Sequence, residues 1–292
     1  CCIVNPVSGL KKSLKVYYEA KNYFEKSNFS SSLFVSEYPG HIKEYVSKID
    51  KSTFDRLIVF GGDGTINEVV NGLQDSNNLQ SFKLGIVPTG SGNSVAHDTG
   101  LLDVADAIQK CVGDFSMKMD VNQVDFDSFS RLSVSVLGWG MFSFGNIRAE
   151  KLRLLGPIRY DVASIITLLE NKIHKAEIQV DGKHKMLECA FIVGCNSKHT
   201  GKGMIVAPEG GFADKKIDLI TVGRNVNRFQ VFEVFQKVYK GTHIDLPFVE
   251  NIKVDSFSID PGEMSFYNID GDIVESQKAS VRVVPEAINL LI

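Results

Sequence analysis

No apolar run in this chain approaches the roughly 20 residues that a helix needs to cross a bilayer, so no transmembrane helix is expected. There is no excess of basic charge either. Lys and Arg number 32 against 35 Asp and Glu, a net charge of −3. That balance speaks against nucleic acid as a partner. The five cysteines lack any metal-ligand spacing. They are expected to be buried, reduced thiols of a cytoplasmic protein. A signal-peptide pattern and an initiator Met are both missing, and the chain opens directly on Cys1-Cys2-Ile3-Val4. The expectation is therefore a trimmed sequence, whose native leader would be invisible. Repeats, low-complexity tracts and long linkers are absent as well. What remains is an ordinary globular composition, 43% hydrophobic and 23% charged. At 292 residues there is room for two domains and a large core. Nothing in the composition indicates an oligomeric state.

Residues 1–117 alternate strand and helix signals. Strands are predicted at Cys2–Val4, Ser32–Ser36, Leu57–Phe60 and Leu84–Val87, with helical stretches between them and a last one over Val104–Val112. This alternation predicts a parallel-sheet α/β domain with ligands at the carboxyl ends of its strands. From residue 118 to 292 the texture changes to short strands separated by turns such as Asp181-Gly182 and Pro261-Gly262. The predicted strands are Val121–Phe126, Leu132–Leu137, Ala176–Val180, Ala190–Cys195, Ile217–Val222, Ile252–Ile259, Met264–Ile269 and Ser280–Val284. Helices are predicted at Ile158–Ile173 and Arg228–Lys240. This second pattern is that of an antiparallel β-sandwich, whose last residues are expected to pack back on the first domain.

The most informative segment is Gly61-Gly62-Asp63-Gly64-Thr65, directly after the apolar run Leu57–Phe60. Ile66, Val69, Val70 and Leu73 then recur at helical spacing. A buried strand, a glycine turn and a helix N-terminus together form an anion site. Asp63 inside that turn would repel a bare phosphate, so a metal ion or a substrate hydroxyl is expected between them. Pro88-Thr89-Gly90-Ser91-Gly92-Asn93 makes a second glycine turn behind the next strand, and Asn5-Pro6-Val7-Ser8-Gly9 a polar turn behind the first. Two such turns on adjacent strands suit a nucleotide cleft, though each alone reads equally as an ordinary turn. Arg153 and Arg159 carry the planar fork that phosphate oxygens accept, or form a solvated basic turn. Asp270-Gly271-Asp272 suits a metal ion, a ribose or phosphate contact, or a plain hairpin turn.

Together these segments resemble the diacylglycerol kinase catalytic-domain superfamily, most of all its sphingosine (long-chain base) kinase branch. The match is carried by Gly61-Gly62-Asp63-Gly64-Thr65 with Asn67-Glu68 and Val69-Val70-Asn71-Gly72-Leu73, and by Thr89-Gly90-Ser91-Gly92-Asn93. Gly138-Trp139-Gly140, Glu150-Lys151, Arg153-Leu154-Leu155-Gly156 and Arg159-Tyr160 extend it. The resemblance implies an α/β nucleotide domain, a β-rich lipid domain and ATP in the cleft between them. It implies nucleotide contacts from Asn5, Pro6, Val7, Ser36, Glu37, Gly40, Gly62, Gly64, Thr65, Glu68, Gly90, Ser91 and Gly92. Arg153 and Arg159 would hold the ATP phosphates. Asp270, Gly271 and Asp272 match a nucleotide motif that usually ends in glutamate, and the two carboxylates would serve Mg²⁺.

By the same resemblance Asp63 is the catalytic base. Gly61, Gly62, Asp63 and Asn146 would border the lipid. The expected activity is transfer of the ATP γ-phosphoryl group to the primary hydroxyl of sphingosine. Asn146 stands where sphingosine kinases carry an aspartate near the substrate ammonium. A neutral head group, in ceramide or diacylglycerol, is the alternative, unless another acid such as Asp161 substitutes. An NAD kinase shares the glycine-aspartate turn, but Thr89–Asn93 speaks against it. A non-catalytic lipid-binding module is opposed by the intact Asp63, Gly90, Gly92, Arg153 and Arg159. Because the substrate lies in a bilayer, a cytoplasmic enzyme attached peripherally to membranes is expected.

Overall fold

The computed structural model describes residues 1–143, 172–201 and 203–292. Arg153, Arg159, Asn146, Asp161 and the helix expected over Ile158–Ile173 fall wholly or mostly outside that range. In the first half the order is β1 (Cys2–Val4), α1 (Ser13–Lys26), β2 (Leu33–Val35), α2 (His41–Val46), β3 (Arg56–Gly61), α3 (Asp63–Asp75), β4 (Lys83–Pro88), α4 (Ser94–Thr99) and α5 (Val104–Val112). The apolar strands pair in parallel in the order β2-β1-β3-β4. Leu57, Val59 and Phe60 on central β3 are fully buried. This is what a strand covered on both faces requires. Ile66, Val69, Val70 and Leu73 form the buried stripe of α3, as their spacing predicts.

The second half contains β5 (Ser116–Phe126), β6 (Ser130–Ser133), β7 (Val136–Gly140), β8 (His174–Val180), β9 (Lys183–Cys195), β10 (His199–Thr200), β11 (Met204–Ile205) and β12 (Ile217–Gly223). Then follow α6 (Arg228–Val238), β13 (Val249–Val254), β14 (Ser256–Asp260), β15 (Ser265–Ile269), β16 (Asp272–Ser276) and β17 (Ala279–Leu291). These strands join antiparallel ladders, the longest between β5 and β17, and the short β10–β11 pair forms a sheet of its own. The 13-residue β17 keeps its ladder with β5 to its end, and at Asn289 and Leu290 its other edge lies parallel to β4. Ile288 and Leu290 therefore share a core with Ile66, Val70 and Leu84, together with Met119, Val121 and Leu132. Neither the sheet nor this core breaks at residue 118.

Two strands expected as single runs are divided, and in both places a carboxylate has captured the backbone. Leu132–Leu137 splits into β6 and β7. The N–H groups of Val134, Ser135 and Val136 all donate to Asp270, at 2.8, 2.9 and 2.8 Å. Ile252–Ile259 splits into β13 and β14 at Asp255. There the N–H groups of Asp255 and Ser256 donate to Asp181 Oδ1 at 2.9 and 3.1 Å. An N–H turned toward a side chain cannot serve the ladder. The four cysteines Cys2, Cys111, Cys189 and Cys195 are buried and free, and Cys1 is half-buried and free. Among the described residues no helix is long and apolar enough to cross a membrane.

Candidate active site

The turns that follow β1, β3 and β4 meet at the carboxyl edge of the parallel sheet. Asn5 Nδ2 donates to Thr65 Oγ1 at 3.1 Å, and Ser13 Oγ lies 2.8 Å from Thr89 Oγ1. Backbone meets backbone where the β3 and β4 turns touch. A Cβ on Gly90 would sit 2.4 Å from the Gly62 Cα, closer than any real contact. Only glycine permits that approach. Asn93, in the left-handed region at φ 56°, locks the β4 turn from inside. Its Oδ1 accepts from Gly90 N at 3.0 Å, and its Nδ2 donates to Gly90 O at 2.9 Å.

Asp63 is the first residue of α3. Gly62 before it is extended and provides no side-chain cap. The start of a 13-residue helix thus faces the crevice without a side-chain acceptor, the arrangement that attracts anions. Gly64 is exposed, and a Cβ there would meet open space, so a phosphate can approach the helix end. Half-buried Asp63 is held from the opposite side by the start of α4. Ser94 Oγ donates to Oδ2 at 3.1 Å and Val95 N to Oδ1 at 3.4 Å. Gly201 N, from the turn after β10, donates to Ser94 Oγ at 3.1 Å. With that lone pair occupied, the single Ser94 hydroxyl proton is directed at Asp63. A Cβ on Gly92 would come within 2.8 Å of Asp63 Oδ2. The carboxylate is thus framed by glycine on one flank and by two donors on the other.

The far end of α4 grips the same part of the β-rich half. Buried Asp98 accepts from Lys198 N at 2.7 Å, His199 N at 3.0 Å and the His199 ring. Burial pushes the Asp98 carboxyl up, against the pull of these donors. Sequence reasoning passed over Ser94, Asp98 and His199. The signal available was a leading serine and one acid on a six-residue helix behind a glycine turn.

Around the second predicted turn, Ser36 is buried and its N–H donates to Val4 O at 3.0 Å. Glu37 is exposed, with its N–H directed at His41 Nδ1 at 3.2 Å. Gly40, at φ 88°, starts α2. Glu68 lies five residues beyond Asp63 on α3, and its Oε2 accepts from Ile42 N at 3.2 Å, so it ties α2 to α3. Pro6 is half-buried, while Val7 and Ser91 are exposed at the rim. A cavity of about 360 Å³ nearby, lined by His41, Tyr45, Lys48, Asp50 and Phe54, contains none of the turn residues and is separate from this crevice.

Asp270-Gly271-Asp272 requires a correction. Asp270 and Gly271 have φ of 51° and 101° and form the tight turn of the β15–β16 hairpin. Besides its three backbone donors, Asp270 accepts from Asn67 Nδ2 at 2.6 Å and Ser133 Oγ at 2.8 Å. Burial raises its pKa, while the N–H groups of Val136 and Val134 pull it back. Asp272 pairs with Arg131 at 2.7 Å, and Arg131 also donates to Asn67 Oδ1 at 2.7 Å. With five donors on one carboxylate and a guanidinium on the other, the pair does not fit Mg²⁺. It staples α3 to the β-rich half. Asn67 and Asn71, one turn apart and buried, are the receiving side. They stood in the sequence as polar residues on an apolar stripe. Among the described residues no group of three or more His, Cys, Asp or Glu converges as a metal site.

Residues 1–124 match the family described as the diacylglycerol kinase catalytic domain, and residues 135–292 the YegS C-terminal NAD kinase beta sandwich-like domain. Sphingosine kinase 1 of Arabidopsis thaliana is 25% identical over 89% of this chain and 63% of the plant protein. The diacylglycerol kinase of Bacillus subtilis is 25% identical over 92% of this chain and 88% of its own length. The chain thus spans less than two thirds of the plant sphingosine kinases it matches. A Bacillus anthracis protein solved as a candidate diacylglycerol kinase superposes with a TM-score of 0.82 at 21% identity, over 99% of this chain and 93% of that one. The NAD kinase of Archaeoglobus fulgidus in complex with ATP gives 0.52 at 12% identity, over 100% and 92%. These two likenesses concern the fold alone.

Proposed function

This chain belongs to the diacylglycerol kinase catalytic-domain superfamily, and on that premise we propose that it is an ATP-dependent lipid kinase acting on a long-chain lipid alcohol. The single observation that carries the reading is Asp63, held by Ser94 and Val95 at the open N-terminus of α3 between two touching turns. In this reading the three turns and the start of α3 receive the nucleotide phosphates. Asp63 accepts a hydrogen bond from the lipid hydroxyl and takes its proton. The hydroxyl oxygen bonds to the γ-phosphorus as the bond to the β–γ bridging oxygen breaks, and ADP leaves. Such a transition state is loose, so positioning and charge neutralisation supply most of the catalysis. Arg153 and Arg159 remain the proposed cations for the phosphates. The described carboxylates form no cage for Mg²⁺; the ion would accompany ATP on phosphate oxygens and water.

For the lipid, the reading is the primary hydroxyl of a sphingoid base. The second reading, a neutral ceramide or diacylglycerol, is favoured by the uncharged Asn146. Phosphorylation with labelled ATP on sphingosine, ceramide, diacylglycerol and NAD separates these readings. Asp63→Asn is expected to lower kcat by about 10²–10⁴ while ATP still binds. Full activity in that variant refutes the assignment of the base.

A further inference from the structure

α6 has two faces. Val231, Val234 and Val238 are buried in the core beneath it. On the opposite side Phe229, Phe232 and Tyr239 are 77%, 48% and 57% exposed. Their spacing of three and seven residues, with exposed Gln236 between, sets them in one stripe along the helix. Aromatic groups in a row on the outer face of a helix are not needed for its packing and mark an interaction surface. The stripe is held in place by its start. Asn227 Oδ1 accepts from Phe229 N and Gln230 N at 2.9 and 3.1 Å, and Gln230 Oε1 accepts from Asn227 N at 2.9 Å.

The charge around the stripe selects the occupant. Arg228 precedes it and Lys240 follows it, and neither joins an ion pair among the described residues. The one acid on the helix, Glu233, is paired with Lys237 at 3.4 Å. A second copy docked in antiparallel fashion would set Arg228 against Lys240. A parallel copy would set like residues against each other. Both juxtapose positive charges. An anionic lipid surface accepts the cations at both ends and the rings between them. The net charge of the chain is −3, so this positive frame is local.

We propose that the outer face of α6 is the surface on which the protein docks to anionic membranes, with Phe229, Phe232 and Tyr239 entering the interface and Arg228 and Lys240 meeting headgroups. The proposal rests on the lipid kinase reading for its purpose. It also has a short route to Asp63. Val206 O lies 3.0 Å from His243 Nε2 in the turn after α6, and a Cβ on Gly241 would touch Ile205 and Pro208 at 3.0 Å. Five residues before Val206, Gly201 donates to Ser94, which holds Asp63.

The test is sedimentation of the full chain with vesicles of phosphatidylcholine, with and without phosphatidylserine. Wild type is expected to pellet with the serine-containing vesicles and less without them or at high salt. Phe229→Ser combined with Phe232→Ser should lower the apparent partition coefficient at least about tenfold, because both rings leave the interface. Arg228→Gln combined with Lys240→Gln should lower it about tenfold on serine-containing vesicles only. Phosphorylation of lipid dispersed in detergent micelles should be unchanged in both, as should the Tm. The proposal is overturned if wild type stays in the supernatant, or if the phenylalanine variant pellets as well as wild type. It is equally overturned if light scattering shows a dimer that those substitutions abolish. Wild type inactive on micellar lipid would instead refute the kinase reading and leave the vesicle result to decide the surface.

Discussion

Gly90 and Gly92 stand two residues apart in one turn, yet alanine should act on them in opposite ways. At Gly92 the new methyl would lie 2.8 Å from Asp63 Oδ2, and ordinary contact begins near 3.4 Å. The atom it meets is the end of a side chain, so the carboxylate can retreat by about 0.6 Å, the difference of those distances. That retreat displaces the carboxylate from the position in which Ser94 holds it at 3.1 Å. Misplacement by about 1 Å costs on the order of 10² in rate. Gly92→Ala should therefore lose about 10- to 100-fold in kcat, or roughly 1.4–2.7 kcal/mol of barrier, with a Tm within about 2 °C of wild type. At Gly90 the methyl meets the Gly62 Cα at 2.4 Å, and backbone cannot swing aside. Gly90→Ala should destabilise the fold by about 1–3 kcal/mol and weaken nucleotide binding as the two turns part. Initial rates on micellar lipid, beside thermal denaturation of each variant, decide the matter. Full kcat in Gly92→Ala, or a loss that merely follows unfolding, would refute the idea that this glycine makes room for a working carboxylate.

Further outcomes follow from the same geometry. Asp270→Ala leaves five donors without their acceptor and should cost about 3–5 kcal/mol, read from the urea midpoint; a change under about 1 kcal/mol would mean that water replaces the carboxylate. Burial pushes the Cys2 thiol up to about 11 and the Cys189 thiol up to about 12, and raises the Cys111 and Cys195 thiols as well. At neutral pH these four should resist iodoacetamide in the native protein and react after denaturation, counted by mass spectrometry; rapid native labelling of Cys195 would contradict its burial. Asn146→Asp should raise the preference for an aminated lipid over a neutral one, measured as a ratio of kcat/KM values, and an unchanged ratio would place the head group elsewhere.

The parallel half of the fold was legible because its signals are local. Apolar runs such as Leu57–Phe60, the stripe Ile66–Leu73 and the glycine turns behind them each define their own conformation. What the sequence concealed was capture at a distance. Nothing near Leu132–Leu137 announces that Asp270 takes three of its N–H groups from more than 130 positions away. The Asp270 turn itself read equally as hairpin or metal site, because an Asp-Gly pair carries both meanings until its partners are known. Asp63 could be singled out from its turn, whereas Ser94 acts through a contact with Asp63 across 31 positions, and Asp98 and His199 through contacts that join the two halves. Asn67 was part of a recognisable motif, but its role depends on Arg131 and Asp270.

The last strand has a consequence for biosynthesis. Ile288 and Leu290 lie in the same core as Ile66 and Leu84, and Asn289 and Leu290 pair with the start of β4. A nascent chain that has exposed its first 124 residues therefore lacks one wall of the compartment that steadies Asp63. That wall arrives only when the stretch near residue 290 leaves the ribosome tunnel, so closure of this half waits for synthesis of the whole β-rich half and is of high contact order. Until then its apolar edge is material for chaperones.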